Sequence, residues 1–265
     1  MKSKNIKSFI ALGIIISGLS VLFGTSCHKT SSDSAATGTF YFHLHTNIDT
    51  NEVDDSTALY RDATGRHFGL TVPQFYISGV TLQNAKGTSY TIPNAYILKD
   101  LDSEEYIIGT APVGVYTSVT FNVGLDASAN ATSPSSYSPG SPLANSSMWY
   151  GNTAQGYMFM KLQGFADTTL GQIGTNLVHF SYEIGGSSHL KSITMPTRGT
   201  GAYASYLPYT LVAGGTQYIH IICDYGALLF PIDFKTQDST DSHSLRPGIA
   251  DTIANNMQQL FHYEE

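Results

Sequence analysis

The hydrophobic pattern along the chain is strand-like almost throughout. Thr39–Asn47 (TFYFHLHTN) alternates with period two, so Phe40, Phe42 and Leu44 share one face and Tyr41, His43 and His45 the other. Short runs follow at regular spacing over Leu70–Gln83, Ser89–Ile92, Ala95–Asp100, Tyr106–Gly109 and Val115–Leu125. Turn chemistry at Ala85-Lys86-Gly87 and Pro112-Val113-Gly114 separates them. Further on, YMFMKLQG (157–164), Leu177–Ile184, Ser192–Met195, Ala204–Val212 and Gln217–Tyr225 continue the pattern. Only Ile249–His262 has a helical period, with Ile249, Ile253, Met257 and Leu260 at three- and four-residue steps. This predicts an all-β protein: a single β-sandwich with Greek-key-like connections and a short C-terminal helix.

One interruption stands out. Residues 126–147 are rich in Ser, Ala, Asn and Pro, without apolar periodicity, and a loop of that length inside a domain is usually functional or mobile. It feeds Ser147–Gly164, which holds the only tryptophan, Trp149, between Met148 and Tyr150, and then breaks at Gly151 and Gly156. An aromatic loop before a core strand serves either packing or ligand binding from a rigid scaffold.

The N-terminus departs from the β pattern. Met1–Lys7 carries three lysines, Phe9–Phe23 is a largely apolar run without charge, and Leu22–Ser26 leads into Cys27. The layout predicts a bacterial lipoprotein signal over 1–26, lipidation of Cys27, a flexible tether over 27–38 and one β-domain over 39–265. The expected protein is exported and membrane-anchored, on the periplasmic face or at the cell surface. Net charge is −7 with no basic block, which argues against nucleic acid as a partner. With Cys27 lipidated, Cys223 has no disulfide partner; its apolar run YIHIICDYG predicts a buried, inert thiol.

Candidate chemistry centres on histidine. His43-x-His45 places two imidazoles on one strand face, suited either to one transition metal or to simple exposure. His179 and His220 lie inside strands and read as packed or hydrogen-bonded structural residues. His189, past Gly185-Gly186, and His243, ahead of the helix, are freer to act as ligands. No G-x-S-x-G, P-loop, G-x-G-x-x-G or H-E-x-x-H occurs, so the expectation is a binding protein and not an enzyme.

Five segments, in order, resemble the MbnP-like copper-binding family: QFYISGVTL; AYILKDLD with APVGVYTSVTFNVGLDASAN; MWYGNTAQGYMFMKLQG; FSYEIGG; and His243-Ser244 before the closing helix containing Asn256-Met257. The resemblance implies an exported all-β protein, with some members binding copper through histidines and a tryptophan oxidised to kynurenine. It also implies a di-haem peroxidase-like partner that performs the oxidation. Carried over, Trp149 would be that tryptophan, with His43 or His45 as first-strand ligands and Glu183, His189 and His243 as secondary candidates. This chain departs from the pattern at Glu183, where the family has histidine, and in having one tryptophan before Gly156-Tyr157 where the family has two. A carboxylate shifts preference away from copper(I). The alternative is a surface module binding glycan or protein through Tyr137, Trp149, Tyr150 and Tyr157.

Overall fold

The computed structural model describes residues 35–53, 60–62, 64–169, 176–195 and 208–264, so Cys27 and its tether lie outside the described residues. The strands are β1 (Thr37–Ile48), β2 (Asn51–Glu52), β3 (Tyr60–Arg61), β4 (His67–Asn84), β5 (Ser89–Thr91), β6 (Ile97–Lys99), β7 (Glu105–Pro112) and β8 (Gly114–Val123). They continue as β9 (Met158–Asp167), β10 (Leu177–Gly185), β11 (Lys191–Thr194), β12 (Tyr209–Leu211), β13 (Thr216–Asp224), β14 (Ser239–Asp241) and β15 (Phe261–Tyr263). Helices α1 (Ala127–Asn130), α2 (Tyr225–Leu229) and α3 (Pro247–Asn256) are short.

Two sheets pack face to face, as the alternation predicts. The smaller runs β15-β13-β1-β2, with β7 also on β1; the larger runs β11-β8-β4-β9-β10-β14, with β3, β5 and β6 on β4 and β12 on β8. In β1, Phe40, Phe42 and Leu44 are fully buried between the sheets, while Tyr41, His43 and His45 face outward. Rings interlock across the gap: Phe42 meets Phe121 at 5.4 Å and 68°, and Phe121 meets Phe261 at 5.1 Å and 86°, the edge-on geometry aromatic quadrupoles favour. At Gly164 a Cβ would sit 1.9 Å from Gly69 O, so only glycine lets β9 approach β4 there.

Three details differ from the sequence reading. The helical pattern stops at Asn256; a 3₁₀ turn over Met257–Leu260 follows, and Phe261–Tyr263 then adds to the edge of β13. The edge backbone of Ile221–Cys223 supplies the hydrogen bonds that end the helix as a strand. Ser239–Asp241, outside the predicted strands, is β14, a parallel addition to β10 that no period-two apolar pattern announces. The 126–147 segment is folded onto the outer face of the larger sheet. Its α1 is capped by Asp126, and Pro142 O and Leu143 O accept from the hydroxyls of Tyr76 and Tyr157. A second apolar cluster, with Tyr76, Leu143, Met148, Tyr157 and Phe159, lies beneath it.

Lys99 stitches the layers together. It is fully buried, and its Nζ donates to Thr46 Oγ1 at 2.9 Å, Ser103 O at 2.9 Å and Asp100 O. Burial holds its pKa below the ordinary lysine value. The thiol of Cys223, which feels the same ammonium, is pushed up to about 12 by burial and is inert, as expected from its apolar strand. Lys99→Met strips one buried and two part-buried acceptors of their donor and is expected to lower unfolding free energy by about 3 kcal/mol. Urea denaturation of the variant checks this; an unchanged midpoint would contradict the stitching role.

Candidate metal centre

β1 and β13 are parallel and in register, so His43 is the Cα partner of His220 and Tyr41 of Tyr218. In a sheet, paired positions project to the same face, and β13 alternates as β1 does, with Ile219 and Ile221 inward and Tyr218 and His220 outward. The outer face of the smaller sheet therefore gathers His43, His45 and His220. One ligand atom from each lies within 4.8 Å of the others. His43 Nδ1 and His220 Nδ1 are 3.0 Å apart, and the rings of His43 and His45 are 4.4 Å apart.

Carboxylates from three further elements close around them. Glu104, in the turn before β7, is held by its carbonyl accepting from Leu44 N at 2.8 Å, and its Oε2 lies 3.2 Å from His43 Nε2. Glu52 Oε1, on β2, lies 3.3 Å from His45 Nδ1, and Glu264 Oε2, just past β15, lies 3.0 Å from His220 Nδ1. Burial, reinforced by His43, holds the His220 pKa below the ordinary histidine value although Glu264 opposes it, so a neutral ring with a free lone pair is favoured. Three imidazoles and three carboxylates, all half-buried or exposed at one surface, form an N/O donor set for a divalent borderline metal.

The other sequence-predicted residues lie elsewhere. Trp149 and Tyr157 close a hairpin-like loop by an isolated bridge, their rings edge-on at 4.8 Å, within the cluster on the outer face of the larger sheet. The first-strand histidines and Trp149 thus occupy opposite outer faces of the sandwich. Glu183 is on β10, paired with Lys161 and Asp241, and desolvation raises its pKa. His243 meets Tyr150 edge-on at 4.6 Å, with Nδ1 3.1 Å from Ser242 Oγ. His189 is buried with both ring nitrogens engaged, Nδ1 with Gly185 O at 2.6 Å and Nε2 with Asp251 Oδ1 at 2.8 Å. It is a structural clamp between β10 and α3, not the free loop histidine its position suggests. Of the aromatic platform in the alternative reading, Tyr157 is fully buried, while Tyr137, Trp149 and Tyr150 are partly buried against the same cluster.

A model of the MbnP family matches residues 37–245. The chain belongs to the MbnP family. Among solved structures, MbnP from Methylosinus trichosporium is similar in fold, with TM-score 0.50, 15% sequence identity, 79% of this chain covered and 82% of that one. No curated protein matches. The motifs that pointed to the family, at 74–82, 95–130 and 148–164, form β4, the β6–β8 region and the Trp149 hairpin of this MbnP-family domain.

For the copper and kynurenine that the resemblance implies, the donor sets differ between the two faces. The imidazole cluster fits a copper ion. Around Trp149 the neighbours are Tyr157, Tyr150 and the apolar cluster, and among the described residues no imidazole ring is paired with the indole. His220 and the three glutamates were missed at the sequence level. The signal available was the matched Tyr-x-His alternation in Tyr41-Phe42-His43 and Tyr218-Ile219-His220. His189→Ala is expected to cost about 1–3 kcal/mol by orphaning the buried Gly185 carbonyl, while the exposed Asp251 carboxylate turns to solvent. In the same protein the NMR ring resonances of His43, His45 and His220 should stay in place; their displacement would mean the two regions are coupled.

Proposed function

We propose that this MbnP-family protein is an exported, lipid-anchored metal-binding protein that stores or carries copper, held by His43, His45 and His220 with carboxylate support. The observation that carries the reading is the convergence of three imidazoles from two strands 177 residues apart, with His43 Nδ1 and His220 Nδ1 at 3.0 Å. Neutral imidazole and carboxylate donors suit Cu(II) and Zn(II), and Cu(II) leads the divalent series in affinity at such sites. There is no thiolate or thioether among these donors, so the set favours the cupric over the cuprous ion. The anchor rests on the apolar run before Cys27 and on the absence of charge in it.

Protein purified without an affinity tag and dialysed against copper should retain it. His43→Ala, His45→Ala and His220→Ala combined should weaken uptake at least ~100-fold, whereas Trp149→Phe should leave it unchanged. Metal analysis after dialysis reads the difference. Equal copper in wild type and the triple histidine variant, or none in either, would sink the assignment.

A further inference from the structure

The donors around β1 divide into two sets, and we propose that the cluster binds a pair of divalent metal ions. The proposal rests on the metal-binding reading above. The first set is His43 Nδ1, His220 Nδ1 and Glu264 Oε2, with successive separations of 3.0 Å and 3.0 Å. The second is His45 Nδ1, Glu52 Oε1 and Glu104 Oε1, with the carboxylate oxygens 3.3 Å and 3.5 Å from the imidazole nitrogen. Donors bound to one ion at about 2.0–2.1 Å lie about 3 Å apart, which matches the separations from His220 Nδ1 in the first set and is close to those from His45 Nδ1 in the second, whose three ligand atoms also lie within 4.8 Å of one another.

The remaining ring nitrogens link the two sets. His43 Nε2 lies 3.2 Å from Glu104 Oε2, a carboxylate of the second set. His45 Nε2 lies 3.5 Å from Glu264 Oε2, a carboxylate of the first. A metal-bound imidazole characteristically donates its other N–H to a carboxylate, which fixes its tautomer and ring plane. Here one tautomer serves both histidines: Nδ1 carries the lone pair toward the ion and Nε2–H faces the neighbouring set. Each ion's ligand thereby orients against the carboxylate of the other.

Charge points the same way. Three glutamates converge on three neutral imidazoles, a formal charge of −3 in the cluster. One divalent ion leaves a negative excess among closely packed carboxylates, while two bring the cluster to +1. Six donors exceed a tetrahedral ion's four and divide evenly into three per ion, leaving a position on each for water, a shared carboxylate or an incoming ligand.

Titration of the full-length protein with Cu(II), followed by dialysis, metal analysis and EPR, separates the possibilities. Two equivalents should bind, and the integrated signal per copper should fall as the second ion enters beside the first. Glu52→Gln with Glu104→Gln should hold one equivalent with an undiminished signal, and so should His220→Ala with Glu264→Gln. Zn(II) should reproduce the two-to-one stoichiometry. Saturation of the wild type at one equivalent, or simultaneous loss of all copper in both paired variants, overturns the two-ion site and leaves single-ion binding standing. No uptake by the wild type overturns the metal reading with it.

Discussion

Parallel, in-register pairing of β1 with β13 is the contact on which the molecule's architecture and its chemistry both depend. The inner faces of these strands carry Phe40, Phe42, Leu44, Ile219 and Ile221, all fully buried, and that burial specifies the register. A slip of one residue would turn the phenylalanines to water, at about 2–3 kcal/mol for each ring. The same register leaves His43 beside His220 on the opposite face. Imidazole convergence is therefore a consequence of core packing, and needs no separate device to hold it.

The flanking elements are placed by the same pairing. β15 adds to β13 and carries Glu264 over the histidines; β2 turns back on β1 and brings Glu52. Glu104 arrives through the segment that Lys99 braces from below, since the Lys99 ammonium takes the carbonyls of Asp100 and Ser103 while Leu44 N donates to Glu104 O. A buried lysine with three neutral acceptors is costly to desolvate, and its lowered pKa reflects that cost. What it secures, together with the Tyr106 hydroxyl that meets Asp100 N and Ser103 O, is the position of the loop that carries Glu104.

The sequence exposed this fold well and the donor cluster only in part, for one physical reason. Period-two alternation is local, so the outward face of Tyr41, His43 and His45 could be read directly. The partnership with His220 depends on which strand lies next to β1, and 177 residues separate the two histidines. Pairing of the first and last long strands is a property of topology that no local pattern encodes. Glu52, Glu104 and Glu264 were still less visible, because adjacent acids on turns are ordinarily solvated. The 126–147 segment failed in the other direction. Its lack of periodicity suggested a functional or mobile loop, yet Tyr76 and Tyr157 hydroxyls find its carbonyls, and Leu143, with Met148 just after the segment, fills the space beneath. A few well-placed apolar residues and two tyrosines suffice to dock a segment that lacks periodicity.

Separation of the Trp149 hairpin from the imidazole cluster bears on how this family member is built. The hairpin closes with Gly151 and Gly156, both at positive φ, and a Cβ on Gly156 would meet the Asn130 side chain at 2.4 Å. Asn130 Oδ1 in turn accepts from Tyr157 N at 2.8 Å, so the hairpin is a fitted part of the docked loop. Its residues answer to packing on the larger sheet. The donors on the smaller sheet answer to a different constraint: they come from β1, β2, the turn before β7, β13 and the residue after β15, which meet only when the sheet is formed. A ligand that binds such a set binds the folded state and not the unfolded chain, so occupancy and folding are linked. The two faces can therefore change independently. Glu183, on the face of the Trp149 hairpin, is none of the six donors assembled on the other.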